Sequence, residues 1–175
     1  EQIQTPMLDY RPILPQGPLP AIAICGAGGI VNDAHLPAYA KAGFRVAGIY
    51  DSQREKAQST AQRFGIEKVY DDLDSLAADS QIGIVDVAVP ATENEAVVEV
   101  LAGRGKALLL QKPLCEDLAG ARRICDRLQS SDTIAAVNQQ MRWEPAVRAC
   151  RGLLADGGLG ALYNLSFLIY VDTPW

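Results

Sequence analysis

The chain has 175 residues, of which 49% are hydrophobic and 21% are charged, and its formal net charge is -5 at pH 7. This composition is typical of a globular protein with material for one good core and a remainder. No apolar run reaches the roughly 18 residues of a membrane span, and no signal peptide is visible at the N-terminus. Because the Lys and Arg residues are scattered rather than clustered, we expect neither a nucleic-acid partner nor a membrane partner.

The chain has four cysteines and a single histidine. The cysteines (Cys25, Cys115, Cys125 and Cys150) show no Cys-x-x-Cys spacing, and Cys25 lies inside an apolar run. We therefore expect small core cysteines in a reducing compartment, and hence a cytoplasmic protein. One histidine supplies too few imidazoles for a His/Cys metal site, so no metal is expected.

Proline dominates the start of the chain, where residues 1–20 hold five of the ten prolines. Proline fixes φ and lacks a backbone N–H, so this segment cannot sustain a helix or a central strand. We expect residues 1–19 to form an extended Pro-rich arm that carries no chemistry.

A glycine turn follows an apolar strand in residues 21–31, which read Ala-Ile-Ala-Ile-Cys-Gly-Ala-Gly-Gly-Ile-Val. A buried strand, a turn and a helix that opens at Ile30 form the geometry in which backbone amides converge on a diphosphate. Gly26 is expected to make the tight turn, and Gly28 to let the backbone approach the phosphate. Val31 stands where the third glycine of the usual pattern packs helix against strand. The alternative is an ordinary glycine loop.

The next elements are a helix over residues 30–42, which Pro37 is expected to kink or restart, and a strand over residues 44–50. His35 lies on that helix, and we expect a surface or helix-packing histidine. Asp51 ends the strand about twenty residues beyond the turn, where a carboxylate can accept both ribose hydroxyls of an adenosine. The alternative is that Asp51 or Ser52 only caps the next helix, because Ser52 and Glu55 fit a capping box. Asp51 favours NAD over NADP, although Arg54 offsets part of its repulsion of a 2′-phosphate.

Short apolar strands and helical segments continue to alternate up to residue 138. The strand at residues 82–89 contains one charge, Asp86, and the helix that begins near Glu93 starts at the carboxyl end of that strand. Further strands are predicted over residues 106–110 and 133–138, with a short one near residues 68–70. This alternation predicts a doubly wound parallel α/β sheet with right-handed crossovers.

Lys112 follows the fifth strand directly and precedes a proline. A lysine held at the mouth of such a sheet, with its ammonium desolvated, can donate to a developing alkoxide or pass a proton. The alternative is a surface lysine at the end of a strand.

The pattern changes after Trp143. One more helix is predicted over Pro145–Ala155, and an alternating strand over Ala161–Val171. This strand has no later strand to pair with, so it meets a partner molecule or begins a second domain. We therefore divide the chain into the arm, a dinucleotide-binding domain over residues 20–142, and the start of a truncated α+β domain over residues 143–175.

Together these motifs resemble the Gfo/Idh/MocA family of oxidoreductases, the relatives of glucose-fructose oxidoreductase and inositol dehydrogenase. The likeness covers about residues 20–172. It rests on the glycine turn, on Asp51, and on Gln111-Lys-Pro-Leu114 where the family has Glu-Lys-Pro. Arg142 with Pro145, and Gly157-Gly-Leu-Gly160 before the predicted strand, complete it.

The resemblance implies a Rossmann domain that binds NAD, with NADP possible, and hydride transfer to or from a carbinol carbon of a sugar, cyclitol or related polyol. Lys112 is the implied catalytic residue and moves the hydroxyl proton. The expected cofactor-binding residues are Gly26, Gly28, Gly29, Ile30, Asp51, Ser52, Arg54, Val89, Pro90, Asn94, Gln111, Lys112 and Gln140.

The resemblance also implies a homo-oligomer formed through the C-terminal sheet, and catalytic residues in a second domain beyond Trp175. An alternative stays open, because Gln111 replaces the family's glutamate and residues 93–95 lack the family's histidine. Under this alternative the chain is a non-catalytic nucleotide-binding or regulatory module of the same fold.

Overall fold

The computed structural model describes residue 13 and residues 15–157, 160–166 and 168. The chain divides into two compact units, of which Pro15–Gln139 is the larger. The strands described in this unit are β1 Ala21–Cys25, β2 Val46–Tyr50, β3 Lys68–Val69, β4 Ile82–Val87, β5 Ala107–Gln111 and β6 Ala135–Asn138. Its helices are α1 Leu36–Ala42, α2 Arg54–Phe64, α3 Leu73–Ala78, α4 Asn94–Leu101 and α5 Leu118–Ser130, and a π-helical turn at Val31–His35 leads into α1.

The strands form one sheet in the order β3-β2-β1-β4-β5-β6, and every neighbouring pair is parallel. The order reverses between β1 and β4, so the carboxyl ends of these two strands border the crevice in which open α/β sheets bind ligands. The predicted doubly wound parallel sheet is confirmed. The glycine turn and the segment after β4 meet at that crevice.

The core consists of two apolar clusters that contain alternate residues of β1. Ile22 and Ile24 belong to the cluster that includes residues of α1 and α2, whereas Ala23 and Cys25 belong to the cluster that includes residues of α3, α4 and α5. Because successive side chains of a strand point to opposite faces, β1 is buried on both sides. A strand buried in this way reads as the continuous apolar run seen in the sequence.

The helix after the glycine turn begins with a widened turn. Val31 is completely buried, and the Leu36 amide donates to the Val31 carbonyl across five positions. Val31 occupies the position at which a glycine usually packs the helix against the strand, and the wide turn starts at this larger side chain. Pro37 lies two residues after the end of the π turn and is the second residue of α1.

Several predicted boundaries shift by one or two residues. Gln111 is the last residue of β5 instead of the first residue after it. The predicted capping box is wrong, because α2 has Gln53 as its N-cap and no side chain caps it. The Gln53 amide donates to the Asp51 carboxylate two residues earlier, and this Asx turn leads into α2.

The second unit includes the described residues from Gln140 onward. A 3-10 turn at Gln140–Trp143 precedes helix α6, Pro145–Ala155, which lies at the predicted position. The Arg148 guanidinium carbon lies 5.3 Å from the centroid of the Trp143 ring. The predicted strand Ala161–Val171 is wrong over residues 161–166 and 168, which have no strand structure. A strand forms only where its backbone pairs with a neighbour, and the described residues provide none for this segment. Its remaining residues lie outside the described ones.

The division at residues 19 and 142 stays a prediction. Most of the Pro-rich arm lies outside the described residues, and residues 15–19 have no helix or strand. Within the described part of the chain, every helix is too short or too polar to cross a bilayer.

Candidate functional site

The glycine turn has one position that only glycine can occupy and one that is open. Gly26 has a φ of +106°, and a Cβ there would lie 2.4 Å from the Ala88 carbonyl oxygen. Its amide donates to the Tyr50 carbonyl at 2.7 Å, which joins the turn to the end of β2. A Cβ on Gly28 would have no atom within 4 Å. The turn is therefore closed against β4 at Gly26 and accessible to a ligand at Gly28.

Asn32 fixes the carbonyl groups of the turn. Its side-chain amide donates to the carbonyls of Ala27 at 3.1 Å and Gly28 at 3.0 Å, and its oxygen accepts from Thr60 at 3.2 Å. Amides in the first turn of a helix have no intrahelical acceptor and are free to donate to an anion. With the carbonyls held by Asn32, these amides form the donor set of the turn. The role of Asn32 was not predicted from the sequence.

Asp51 is held by two backbone amides. Its carboxylate accepts from Ala27 in the glycine turn at 2.7 Å and from Gln53 at 2.8 Å. Asp51 thus orders the turn into α2 and also lies beside the glycine turn. Its binding of a ribose stays a prediction. Each carboxylate oxygen has further lone pairs for ligand hydroxyl groups.

A cleft of about 460 Å³ contains these groups. It is lined by Cys25, Gly26, Gly28, Tyr50, Asp51, Ser52, Gln53, Lys56, Leu73, Ala88, Val89, Pro90, Glu93, Ala96 and Val97. The structure thus brings six of the predicted contact residues together: Gly26, Gly28, Asp51, Ser52, Val89 and Pro90. They come from the ends of β1, β2 and β4, which are neighbours in the sheet.

The other predicted contacts lie outside this lining. Gly29 and Ile30 continue the glycine turn, and Ile30 is 46% exposed. Arg54 forms an ion pair with Asp71, both exposed. Gln140 belongs to the second unit. Direct contact of these residues with a cofactor stays a prediction.

Three further predicted residues lie at or near the end of β5. Gln111 accepts a hydrogen bond from Asn138 at 3.1 Å. Lys112 is exposed, so the surrounding residues do not supply the desolvation expected from the sequence. Asn94 is completely buried, and its amide donates to the carbonyls of Pro113 and Leu114. It therefore anchors the loop after β5 and does not open onto the cleft.

The cleft also contains residues that were not predicted as contacts, among them Lys56 and Glu93. Lys56 follows Gln53 by three positions at the start of α2, and residues at this spacing share a helix face. Helical spacing from the turn after Asp51 could therefore have identified it.

A buried polar cluster lies between α1 and β4. Asp86 is 1% exposed and accepts from Tyr39 at 2.8 Å, and the same oxygen lies 2.7 Å from Nδ1 of His35. Burial, and then the Asp86 charge, raise the pKa of the Tyr39 hydroxyl. His35 is thus a helix-packing residue, one of the two roles expected. The cluster was not predicted from the sequence, although the single charge of Asp86 in an apolar strand could have indicated it, because a buried charge needs partners.

The strand order, the glycine turn and the carboxylate after β2 define a dinucleotide-binding Rossmann protein. A family model described as an oxidoreductase family with an NAD-binding Rossmann fold, GFO_IDH_MocA, matches residues 21–139. The chain belongs to the Gfo/Idh/MocA family of oxidoreductases, as its motifs predicted.

Relatives of the chain include sugar and cyclitol dehydrogenases. D-apiose dehydrogenase of Paraburkholderia graminis is 31% identical over 75% of this chain and 36% of its own length. Inositol 2-dehydrogenase/D-chiro-inositol 3-dehydrogenase of Lacticaseibacillus casei is 30% identical over 80% of this chain and 41% of its own length. The chain thus spans less than half the length of these curated relatives.

A similar solved structure is an oxidoreductase from Agrobacterium radiobacter in complex with NAD+, L-tartaric acid and magnesium. It aligns with a TM-score of 0.72 and 27% identity, over 81% of this chain and 41% of that one.

Proposed function

We propose that the chain is the cofactor-binding part of an NAD(P)-dependent oxidoreductase that moves hydride to or from a carbinol carbon of a sugar, cyclitol or related polyol. The observation that carries this proposal is the cleft in which an open glycine turn and an anchored carboxylate lie side by side. Family membership and the sugar and cyclitol dehydrogenases among the relatives support it.

The residues present fit a dinucleotide. The open space at Gly28 accommodates a diphosphate against the helix amides, and Asp51 accepts from the adenosine ribose. Asn32 keeps the turn's carbonyls directed away from the phosphate by binding them. A bound nicotinamide would supply the hydride chemistry, and the chain would bind and orient it.

Lys112 is the proposed proton-moving residue. It follows β5, which neighbours β4, so both strands end at the edge of the sheet where the cleft lies. An ammonium there can hold a substrate hydroxyl and transfer its proton. The cytoplasmic location, and oligomerisation through the C-terminal residues, stay predictions.

NADH binding by this chain tests the proposal. Asp51→Ala is expected to weaken NADH binding by about 1 to 3 kcal/mol, because ribose hydroxyls lose their acceptor. The matched control is Asp126→Ala, which removes an exposed carboxylate on α5 and changes the net charge equally. Fluorescence titration measures both dissociation constants, and circular dichroism verifies that the variants are folded. An unchanged constant in folded Asp51→Ala would reduce Asp51 to an anchor of the turn.

Turnover separates the enzyme from the non-catalytic module. In the full-length natural protein, a sugar and polyol panel is assayed with NAD+ and NADP+. Turnover that Lys112→Ala abolishes supports the enzyme, whereas cofactor binding without turnover on any polyol supports the module.

A further inference from the structure

Asn94 lies between the cofactor cleft and the loop that carries Lys112. It is the first residue of α4 and is completely buried. Its neighbours on the same turn of helix, Glu93, Ala96 and Val97, line the cleft. One turn of α4 therefore forms part of the cleft wall and also contains Asn94.

The Asn94 side chain holds the two residues that follow Lys112. Its Nδ2 donates to the Leu114 carbonyl at 3.0 Å and to the Pro113 carbonyl at 3.4 Å. Its Oδ1 is buried and has no hydrogen-bond donor among the described residues. A buried side-chain oxygen without a donor destabilises the core, so we expect the hydrogen-bonded Nδ2 group of the same side chain to have a specific role. These hydrogen bonds hold the loop that contains Lys112, Pro113 and Leu114 in place.

We propose that Asn94 is a positioning residue that holds the Lys112 loop and couples occupation of the cleft to the exposure of the lysine. The inference rests on the proposed function, in which the cleft holds the cofactor and Lys112 moves the proton. The two hydrogen bonds of Asn94 join the first turn of α4 to the loop after β5. A cofactor that contacts this turn of α4 therefore acts on the loop through Asn94. Val87 and Leu110 are paired neighbours, so the cleft wall after β4 and the loop after β5 also leave adjacent strands.

Chemical labelling of lysines tests this role without requiring turnover. The chain is treated with an amine-acylating reagent, with and without saturating NADH, and peptide mass spectrometry measures the rate at Lys112. Exposed Lys41 on α1 is the internal reference. Asn94→Ala removes both donors, and Asn94→Asp keeps the shape without the amide if alanine does not fold. The control is Thr92→Ala, which changes an exposed residue just before α4.

Without NADH, Asn94→Ala is expected to raise the labelling rate of Lys112 by about threefold or more, because the loop loses its donors. The rate at Lys41 is expected to stay constant. Saturating NADH slows labelling of Lys112 in the wild type, and this protection is smaller in the variant. A purely structural role would lower the unfolding free energy but leave the ratio of the Lys112 and Lys41 rates unchanged.

Equal Lys112 rates and equal protection in the wild type and in a folded Asn94 variant would overturn the inference. The inference would also be overturned if Thr92→Ala changed the labelling of Lys112 as much as Asn94→Ala does. That result would show that any change at the start of α4 alters the labelling. If NADH binds the wild type but gives Lys112 no protection, the coupling is refuted while the proposed function stands. If the wild type binds no NADH, the proposed function fails, and the coupling fails with it.

Discussion

Alanine substitutions at Gly28 and Gly26 separate ligand binding by the glycine turn from its folding. A Cβ on Gly28 meets no atom within 4 Å, and the φ of this residue is not in the left-handed region. Gly28→Ala is therefore compatible with the fold and is expected to stabilise it by about 0.4 to 1 kcal/mol, since alanine restricts the unfolded chain. The methyl group would occupy the space through which the backbone approaches a phosphate. Losing one charge-assisted hydrogen bond costs about 1.5 to 3 kcal/mol, so the dissociation constant for NADH should rise about 10- to 150-fold.

Gly26→Ala is expected to behave in the opposite way. Its φ of +106° is costly for a residue with a side chain, and its Cβ would lie 2.4 Å from the oxygen and 2.9 Å from the carbon of the Ala88 carbonyl group. These atoms are backbone, so the turn and the end of β4 have to separate. The left-handed conformation costs about 1 to 2 kcal/mol, and overpacking costs about 1 to 3 kcal/mol. We therefore expect a loss of about 2 to 5 kcal/mol in unfolding free energy.

Two measurements test the pair. Urea denaturation gives the unfolding free energies, and fluorescence titration gives the dissociation constants for NADH. We expect Gly28→Ala to be stable and to bind NADH weakly, and Gly26→Ala to be destabilised. If Gly28→Ala binds NADH as tightly as the wild type, the diphosphate does not approach the backbone at this turn, and the assigned site is wrong.

Three further predictions concern the fold. Hydrogen bonding to Lys68 is the largest cause that lowers the pKa of Asp79 from 3.8 to about 2. Its stabilising effect is therefore present above about pH 4 and lost as the pH falls towards 2, so the difference in unfolding free energy between wild type and Asp79→Asn should shrink over that range. Asp86→Ala leaves the buried His35 imidazole and the partly buried Tyr39 phenol without their acceptor. We expect a loss of about 3 kcal/mol at pH 7, measured by urea denaturation, and a loss below about 1 kcal/mol would contradict the role of the cluster. Burial, and then nearby carboxylates, raise the pKa of Cys25 to about 12. In the native chain, a thiol reagent at pH 8 should modify exposed Cys125 rapidly and Cys25 only after unfolding, and rapid native modification of Cys25 would refute this.

The sequence determined the features that depend on local order along the chain. The strand, the glycines and the helix start lie within residues 21–31, and their turn geometry follows from residue type. Asp51 could be predicted because the carboxyl ends of the first two parallel strands lie side by side once the alternation of strands and helices is recognised. Helix α6 was predicted with its observed bounds, because proline at its start and glycines after its end delimit it.

Tertiary structure decided which side chains face one another across the fold. Asn94 was expected in the cleft, but helix α4 packs where its amide reaches carbonyls 19 and 20 positions away. His35 and Asp86 meet across 51 positions only because β4 lies next to β1 in the sheet. The alternating pattern after Ala161 predicts a strand. Alternation distinguishes the two faces of a segment but does not provide a neighbouring strand for its backbone hydrogen bonds. Periodicity is a property of the local chain, whereas hydrogen-bond partners depend on which distant segments become neighbours, and only the folded chain supplies that information.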